Sequence, residues 1–313
     1  MDSSFLKLWV KKMSDVTLFE VGPRDGLQNE KMIISSDVKI ELINRLSACG
    51  LKKIEAASFV SPKWVPQMAD AKEVMAGIAR KDDVIYSALT PNETGMMAAL
   101  DAKADEVAIF AAASEAFSQK NINCSISESI DRFIPVMALA KQNNIKVRGY
   151  VSCVTHCPYD GEINASSVHE VAERLLELGC YEISLGDTIG KAKAENIKHL
   201  ISALTTSISI KKLALHLHDT YGRAIENVLA GLDMGISTFD SSVAGLGGCP
   251  YAEGASGNVA TETLLSLLND QGVNTDVNLE KILETSRYIS EEIAALKLHR
   301  KIKRNSRWPH IKH

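Results

Sequence analysis

The sequence predicts a (β/α)8 TIM barrel with additional C-terminal helices, and three observations support this fold class. Eight short apolar runs rich in β-branched residues recur along the chain, and segments with helical periodicity separate them. The mean distance between successive runs is roughly 30 residues, the length of one βα unit. The 313 residues also suit one barrel of ~250 residues with a short appendage.

The eight runs are bounded by Gly, Pro, Asp or Asn, and each is too short to form a helix. They cover residues 16–21, 52–57, 84–89, 106–111, 147–153, 181–185, 213–218 and 238–243. Apolar residues recur at helical spacing in segments 37–49, 168–178 and 223–234. Eight βα units in succession favour a closed parallel barrel. An open doubly wound sheet is the alternative, but no GxGxxG motif follows the first run.

No linker or low-complexity segment divides the chain, so a single catalytic barrel domain is predicted. This domain covers residues 16–300 and includes one or two C-terminal helices within residues 279–298. Residues 1–15 are predicted to be a flexible N-terminal extension. Residues 301–313 are basic and lack helical periodicity, so they are predicted to form a solvated tail.

Composition excludes several classes of protein. The net charge of −4 at pH 7 creates no field that would attract nucleic acid or an anionic membrane. The chain has no run of about 18 apolar residues, so no transmembrane helix is expected. The six cysteines lack the paired spacing of a structural zinc site, which indicates free thiols in a reducing compartment.

Polar residues gather where the predicted strands end, and active sites of this fold lie at those ends. The strand ends carry Gly22-Pro23-Arg24-Asp25-Gly26, Glu55, Asp187, the His216-Leu217-His218 motif and a glycine-rich run that ends at Cys249. We therefore expect these residues to surround one site.

His216 and His218 are the most specific feature of this set. Side chains alternate along a strand, so both imidazoles point to the barrel interior, where they are costly unless hydrogen-bonded or metal-bound. Asp25 and Asn258, from neighbouring strands 1 and 8, could each add an oxygen ligand. Such a set, with open positions for substrate, suits Mg²⁺, Mn²⁺ or Zn²⁺. A hydrogen-bonded pair of core histidines is the alternative, which the Arg-Asp-Gly turn disfavours.

Arg24 is a candidate electrophile, because a guanidinium stays charged and can donate two hydrogen bonds to a carbonyl or enolate oxygen. An ion pair that only fixes the first loop is the alternative. Glu55 and Asp187 are candidates for orienting Arg24 or a ligand histidine, with a purely structural role as the alternative.

Cys249 directly follows two glycines, and a third lies nearby. Glycines allow a loop to move and to close over a substrate, and a thiol on such a loop could transfer a proton. A small buried filler is the alternative, but the glycine-rich context after the last strand favours the catalytic role.

Six segments resemble the 3-hydroxy-3-methylglutaryl-CoA lyase family, in order along nearly the whole chain. They are GPRDGLQNE (22–30), SFVSPKWVPQMAD (58–70), KNINCSI (120–126), SLGDTIG (184–190), HLHDTYG (216–222) and SVAGLGGCPYAEGASGNVATE (242–262). The AGLGGCPYA stretch is the signature of that family. The RDG and HxHD motifs alone also fit the wider group that includes isopropylmalate and homocitrate synthases.

The resemblance implies a carbon–carbon lyase that acts on an acyl-CoA with Mg²⁺ or Mn²⁺ as cofactor. It implies metal ligands at Asp25, His216, His218 and Asn258, a catalytic arginine at Arg24 and a catalytic cysteine at Cys249. It also places Glu55, Asp187 and Glu262 around the site, Gln28 as a polar active-site residue and Lys31 near the CoA end. A contact of the basic tail with a CoA phosphate is the alternative to a solvated tail.

In the implied reaction, 3-hydroxy-3-methylglutaryl-CoA is cleaved to acetyl-CoA and acetoacetate. Arg24 stabilises the enolate oxygen, and Cys249 protonates the enolate carbon. Asp25, His216 and a hydroxide on the metal are alternative bases for the hydroxyl proton. A lyase for another 3-hydroxyacyl-CoA, or a synthase that condenses acetyl-CoA with a 2-oxo acid, is the alternative activity. A non-enzymatic metal-binding barrel would leave the Cys249 loop unexplained.

The family resemblance also implies a homodimer. The sequence shows no clear mitochondrial leader and no C-terminal peroxisomal tripeptide or cysteine, which favours a cytoplasmic enzyme of bacterial type. His156 stands where the family pattern predicts a small or apolar residue, and the sequence assigns it no role.

Overall fold

The computed structural model describes residues 16–247 and 257–305, and its core is a closed barrel of eight parallel strands. The strands are β1 (Thr17–Glu20), β2 (Lys53–Ser58), β3 (Ile85–Leu89), β4 (Glu106–Ala112), β5 (Lys146–Ser152), β6 (Glu182–Asp187), β7 (Leu213–Leu217) and β8 (Thr238–Ser241). Each strand pairs with its neighbours in chain order, and β8 closes on β1. The predicted barrel is confirmed, with strand bounds that agree within two residues at each end.

Helices cover the outside of the barrel. In the described residues they are α1 (Ser36–Ala48), α2 (Ala71–Gly77), α3 (Glu93–Asp101), α4 (Glu115–Ile122), α5 (Ile126–Gln142), α6 (Ala165–Leu178), α7 (Ala194–Leu204), α8 (Ala224–Asp233), α9 (Thr261–Asp270) and α10 (Leu279–Asn305). A two-residue antiparallel hairpin, His156–Cys157 with Gly161–Glu162, follows β5. None of the described helices is both long and apolar enough to cross a membrane.

The spacing of apolar residues explains how a helix packs on the barrel. In α6, Val168, Val171, Ala172 and Leu175 recur at helical spacing and are all buried. Removing each larger aliphatic side chain from water contributes ~1.5–3 kcal/mol. The covering helices make every residue of β6 buried, so that strand lacks the polar alternation of a half-exposed strand.

The C-terminal region is more helical than the sequence pattern predicts. A single helix, α10, runs from Leu279 to Asn305 and so continues past the predicted domain boundary at residue 300. The helix propensity of its leucine, lysine and arginine residues is high, and this propensity extends the helix where apolar periodicity is absent. Residues 1–15 and 306–313 lie outside the described residues.

Glu20 links β1 to the segment after β8 and so helps to close the barrel. Its Oε1 accepts hydrogen bonds from the backbone N–H groups of Gly22 and Val243, at 2.8 and 2.9 Å. Its Oε2 accepts one from the Thr261 hydroxyl at 2.6 Å. Burial disfavours the charged form more than these bonds favour it, and it raises the pKa of Glu20 from 4.5 to about 7.

This raised pKa predicts a stability that falls as pH rises. Between pH 4.5 and about 7 the unfolded chain releases the Glu20 proton while the folded chain keeps it, so folding is penalised increasingly across this window. A neutral glutamine avoids the penalty. We expect Glu20→Gln to gain roughly 2 kcal/mol of unfolding free energy relative to wild type between pH 5 and pH 8. Urea unfolding of both proteins at the two pH values measures this gain, and a pH-independent difference would contradict it.

Candidate functional site

The candidate site lies at the C-terminal mouth of the barrel, where β1, β2, β7 and β8 end. His216 is the fourth residue of β7, and His218 follows the end of that strand directly. Alternation along the chain brings both rings to one side, with Nε2 of His216 3.2 Å from Nε2 of His218. β8 lies between β7 and β1 in the barrel, so the chain after β1 approaches the same place.

Asp25 completes a cluster of three potential metal-ligand groups. A ligand atom from each of Asp25, His216 and His218 lies within 4.8 Å of the other two. The Asp25 Oδ2 is 3.9 Å from Nε2 of His216. Asp25 sits on a single π-helical turn, Gly22–Gly26, which one residue, Val21, separates from the end of β1. π-Helical turns are rare and occur frequently at functional sites.

Asp240 orients the His216 ring from inside the barrel. Its Oδ2 lies 3.1 Å from Nδ1 of His216. The contacts of Asp240 with Arg148 and His216 overcome the effect of burial and hold the pKa of its carboxyl well below the usual range, so it is an ionised acceptor. In the neutral form of His216 the proton is therefore on Nδ1, and Nε2 presents a lone pair to the cluster.

The donor set fits a divalent cation. At metal–ligand distances of ~2.1 Å, neighbouring ligand atoms are roughly 3 Å apart and opposite ones ~4 Å apart. The 3.2 Å and 3.9 Å separations in the cluster lie in this range. Two imidazole nitrogens and one carboxylate also form a donor set that first-row divalent metals accept.

The electrostatic state of the cluster favours cation binding. Burial alone would raise the pKa of Asp25, but Arg24 and the two histidines outweigh it and lower that pKa to about 2. Burial and the neighbouring His216 lower the pKa of His218 to about 4. At neutral pH the cluster therefore offers an anionic carboxylate and an unprotonated His218 imidazole, the forms in which these groups bind metals.

Asn258 reaches the cluster from the segment before α9. Its backbone forms a β-bridge with His218, and its Nδ2 donates to Oδ2 of Asp25 at 2.8 Å and to the Leu246 carbonyl at 3.0 Å. Gly247 passes so close that a Cβ there would lie 2.6 Å from this Nδ2. As a metal ligand, Asn258 would have to present its amide oxygen instead.

Arg24 is buried beside the donor cluster and held by two carboxylates. Its Nε donates to Oε2 of Glu55 at 2.5 Å, and its Nη1 donates to Oδ1 of Asp25 at 2.7 Å. Its guanidinium carbon lies 5.6 Å from the centre of the Tyr150 ring. Arg24 is thus next to the potential metal-binding group, and Glu55 contacts it directly.

A buried polar network inside the barrel, which the sequence analysis missed, contacts the donor cluster through Asp240 and His216. Arg148 is fully buried on β5, and it pairs with both oxygens of Asp240 and with Glu182. Ser184 also donates to Asp240, at 2.7 Å. The signal in the sequence was the charged residues inside runs predicted to be buried strands, because such residues need partners across the barrel.

Asp187 and Glu262 lie near the mouth of the barrel. Their carboxylates accept hydrogen bonds from backbone N–H groups rather than from Arg24, His216 or His218. Asp187 accepts from the Thr155 hydroxyl at 3.1 Å and from the backbone N–H of Ala192 at 3.0 Å. Glu262 accepts from the backbone N–H of Ala244 and from the Ser286 hydroxyl. These contacts shape the loops after β6 and β8.

The remaining predicted site residues have different placements. Gln28 leaves its amide oxygen buried without a hydrogen-bond partner among the described residues. Lys31 is exposed on the segment before α1. Cys249 lies outside the described residues, so its position relative to the cluster stays a prediction.

Fold and cluster together define the class of metal-dependent (β/α)8-barrel enzymes. Within it, the chain belongs to the HMGL-like family, whose model matches residues 15–289. The zebrafish (Danio rerio) cytoplasmic 3-hydroxy-3-methylglutaryl-CoA lyase is 54% identical over 293 residues, 91% of this chain and 88% of that protein. The chicken (Gallus gallus) mitochondrial hydroxymethylglutaryl-CoA lyase is 56% identical over 88% of this chain and 92% of that protein.

Solved structures show the same similarity. The crystal structure of hydroxymethylglutaryl-CoA lyase from Pseudomonas aeruginosa is 55% identical and superimposes with a TM-score of 0.87, covering 88% of this chain and 92% of that one. An HMG-CoA lyase from Acinetobacter baumannii, solved with coenzyme A and 3-methylmalate, is 37% identical with a TM-score of 0.86. It covers 90% of this chain and 92% of its own.

Proposed function

We propose that this protein catalyses the metal-dependent cleavage of 3-hydroxy-3-methylglutaryl-CoA to acetyl-CoA and acetoacetate. The observation that carries the proposal is the position of Arg24, a buried cation bonded to Asp25 and so adjacent to a donor cluster suited to a divalent metal. Relatives at about 55% identity that are named for this reaction support the choice of substrate.

Asp25, His216 and His218 would hold the metal, with Asn258 as the fourth ligand through its amide oxygen. Mg²⁺ or Mn²⁺ is the cation we propose, because a mixed set with two oxygen ligands and open positions suits both ions. When bound, the cation would supply Lewis-acid polarisation of the substrate hydroxyl.

The protein side chains would handle the protons and the developing charge. Asp25, an ionised carboxylate, takes the proton of the tertiary hydroxyl, whose oxygen then forms the ketone of acetoacetate. The carbon–carbon bond breaks, and its electron pair becomes the enolate of the acetyl-CoA thioester. Arg24 stabilises the enolate oxygen with its charge, and Glu55 holds the guanidinium in place.

Cys249 would complete the reaction by giving its proton to the enolate carbon. Gln28 offers an unpaired buried amide oxygen that a polar group of the substrate can satisfy. Lys31 would contact the CoA end. Asp187 and Glu262 would act by shaping the loops around the substrate, since both accept hydrogen bonds from backbone N–H groups there.

The test of this function follows acetoacetate formation from 3-hydroxy-3-methylglutaryl-CoA. We expect turnover to stop in EDTA, to return with Mg²⁺ or Mn²⁺, and to fall by roughly two orders of magnitude or more in Cys249→Ala, because general acid catalysis contributes ~10²–10⁴-fold. Cys124→Ala, which changes a different cysteine on the segment between α4 and α5, is the matched control and should retain activity. A folded, metal-loaded protein without turnover would refute the assignment.

The assembly and location are further parts of the proposal. A homodimer is expected from the family resemblance, and light scattering of the purified chain tests it. A cytoplasmic location is supported by relatives that are named cytoplasmic, although others are named mitochondrial.

A further inference from the structure

Tyr150 is a buried aromatic residue inside the barrel that has no part in the reaction steps above. Alternation along β5 places Arg148 and Tyr150 on the inner face of the strand. Gly149 faces outward, since a Cβ there would lie 3.2 Å from the side chain of Leu175 in α6. Tyr150 follows Arg148 by two residues, so its ring lies one layer nearer the mouth of the barrel, where only 7% of the residue is exposed.

Tyr150 reaches Arg24 from the opposite wall of the barrel. β5 is four strands away from β1 in either direction around the barrel, so side chains from the two strands meet only across the interior. The guanidinium carbon of Arg24 lies over the Tyr150 ring, 5.6 Å from its centre. This distance is within the ~6 Å range of cation–π attraction, which is stronger between buried groups because water does not compete.

The Tyr150 ring restrains Arg24 in a direction that its carboxylate partners leave free. Glu55 and Asp25 accept from Nε and Nη1, and hydrogen bonds of this kind lie close to the plane of the guanidinium. The ring instead lies against the face of that plane and so opposes its tilting. The remaining nitrogen, Nη2, has no hydrogen-bond partner among the described residues, which leaves its N–H groups for a substrate oxygen.

The same ring contacts a second buried guanidinium, that of Arg148. The Arg148 guanidinium carbon lies 5.1 Å from the ring centre, and its Nη1 donates to the Tyr150 hydroxyl at 3.2 Å. Burial, followed by the charges of Glu55 and Asp240, raises the pKa of Tyr150 well above its usual 10. The phenol is therefore neutral, and it attracts Arg24 through the ring face rather than through a charge.

Tyr150 also contacts His216, but another group already orients that histidine. The two rings are 6.1 Å apart with planes at 83°, an edge-to-face arrangement. The Nδ1 of His216 is held by Asp240 whether or not the tyrosine ring is present. Loss of the ring should therefore affect Arg24 more than the donor cluster.

From these contacts we propose that Tyr150 is a positioning residue, whose ring holds the Arg24 guanidinium in the orientation that stabilises the enolate oxygen. This role rests on the proposed function. Without the ring, the guanidinium can tilt into the space left in the barrel interior while it keeps its two ion pairs. Misplacement of a reacting group by ~1 Å can lower a rate by about 10²-fold.

The test compares Tyr150→Leu with Tyr150→Phe in the metal-loaded full chain. We expect the leucine variant to lower kcat by roughly 10–100-fold with KM unchanged, because the interaction acts in the transition state. Its Mn²⁺ affinity should persist, since Asp240 still contacts His216. The phenylalanine variant keeps the ring and should retain most of kcat, because Arg148 Nη1 also donates to Asp240 at 3.1 Å. Equal losses of kcat in the two variants would overturn the inference.

Tyr181→Leu is the matched control for lost packing. Tyr181 directly precedes β6 at the other end of the barrel, where its ring lies 4.7 Å from the Lys53 Nζ and its hydroxyl donates to Glu106 at 2.8 Å. This variant should lose thermal stability and keep kcat, and a fall in kcat as large as that of Tyr150→Leu would contradict the positioning role. Tyr150→Met replaces the leucine variant if that does not fold, since methionine fills irregular space.

A double-mutant cycle tests whether Tyr150 acts through Arg24. In an Arg24→Met background, Tyr150→Leu should leave the residual kcat unchanged, whereas a loss equal to that in wild type would show two independent effects. Urea unfolding of the same four proteins measures the contact without turnover, and the shift of the midpoint by Tyr150→Leu should be smaller in the Arg24→Met background. Equal shifts would overturn the contact, whereas unequal shifts in a protein that does not cleave the thioester would overturn only the proposed reaction.

Discussion

Replacing Arg24 with methionine is expected to lower kcat by about two to three orders of magnitude, the usual effect of removing one preorganised donor from a developing oxyanion. Methionine preserves much of the side-chain volume but removes the charge. Divalent-metal affinity should persist, because the atoms of Asp25, His216 and His218 that form the donor cluster are unchanged. Steady-state kinetics and metal titration of the same preparation measure the two quantities.

The control for Arg24 must separate lost chemistry from lost stability. The substitution leaves the fully buried carboxylate of Glu55 without its partner, which by itself destabilises the fold. The double variant Arg24→Met/Glu55→Gln removes both charges and should recover part of the thermal stability without recovering kcat. Recovery of kcat in the double variant, or an unchanged kcat in the single variant, would remove Arg24 from the reaction.

Replacing Asp240 with asparagine is expected to weaken divalent-metal binding by ~10–100-fold, the usual effect of losing a carboxylate that orients a metal-binding histidine. Asp240 accepts from Nδ1 of His216, and this contact places the lone pair on Nε2. An amide can present its NH₂ to Nδ1 instead, which moves the imidazole proton to Nε2 and blocks the ligand atom. Calorimetric titration of the apoprotein with Mn²⁺ measures the affinity independently of turnover.

Glu182→Gln is the matched control for Asp240→Asn. Glu182 and Asp240 both pair with the buried guanidinium of Arg148, but only Asp240 contacts His216. Both variants should therefore lose stability, whereas only Asp240→Asn should lose metal affinity. Equal loss of metal affinity in both would show that Asp240 acts through the barrel core rather than through His216.

The donor cluster of Asp25, His216 and His218 shows how much of the candidate site a local sequence pattern can predict. The spacing of His216 and His218 on one strand places two imidazoles on the same face, because the backbone geometry of a strand determines it. Asp25 joined this pair in the prediction only because an eight-strand barrel makes the last strands neighbours of the first. That inference depended on the fold class, and the closed strand order confirms the fold.

Asp240 shows what the local sequence pattern does not contain. Asp240 and Arg148 are 92 positions apart in the sequence, and each sits in a run that otherwise predicts a buried strand. Which charge pairs with which depends on the stagger of the strands around the barrel, and no local spacing encodes it.

The sequence by itself determined the order of strands and helices, the fold class and the identity of the residues at the strand ends. These properties follow from periodicity and composition, which act over a few residues at a time. The tertiary structure decided which of those residues meet: Arg24 with Glu55, His216 with Asp240, and Asp187 with backbone rather than with a histidine. Contacts between distant segments depend on barrel closure and strand register, and these are settled by the packing of the whole chain.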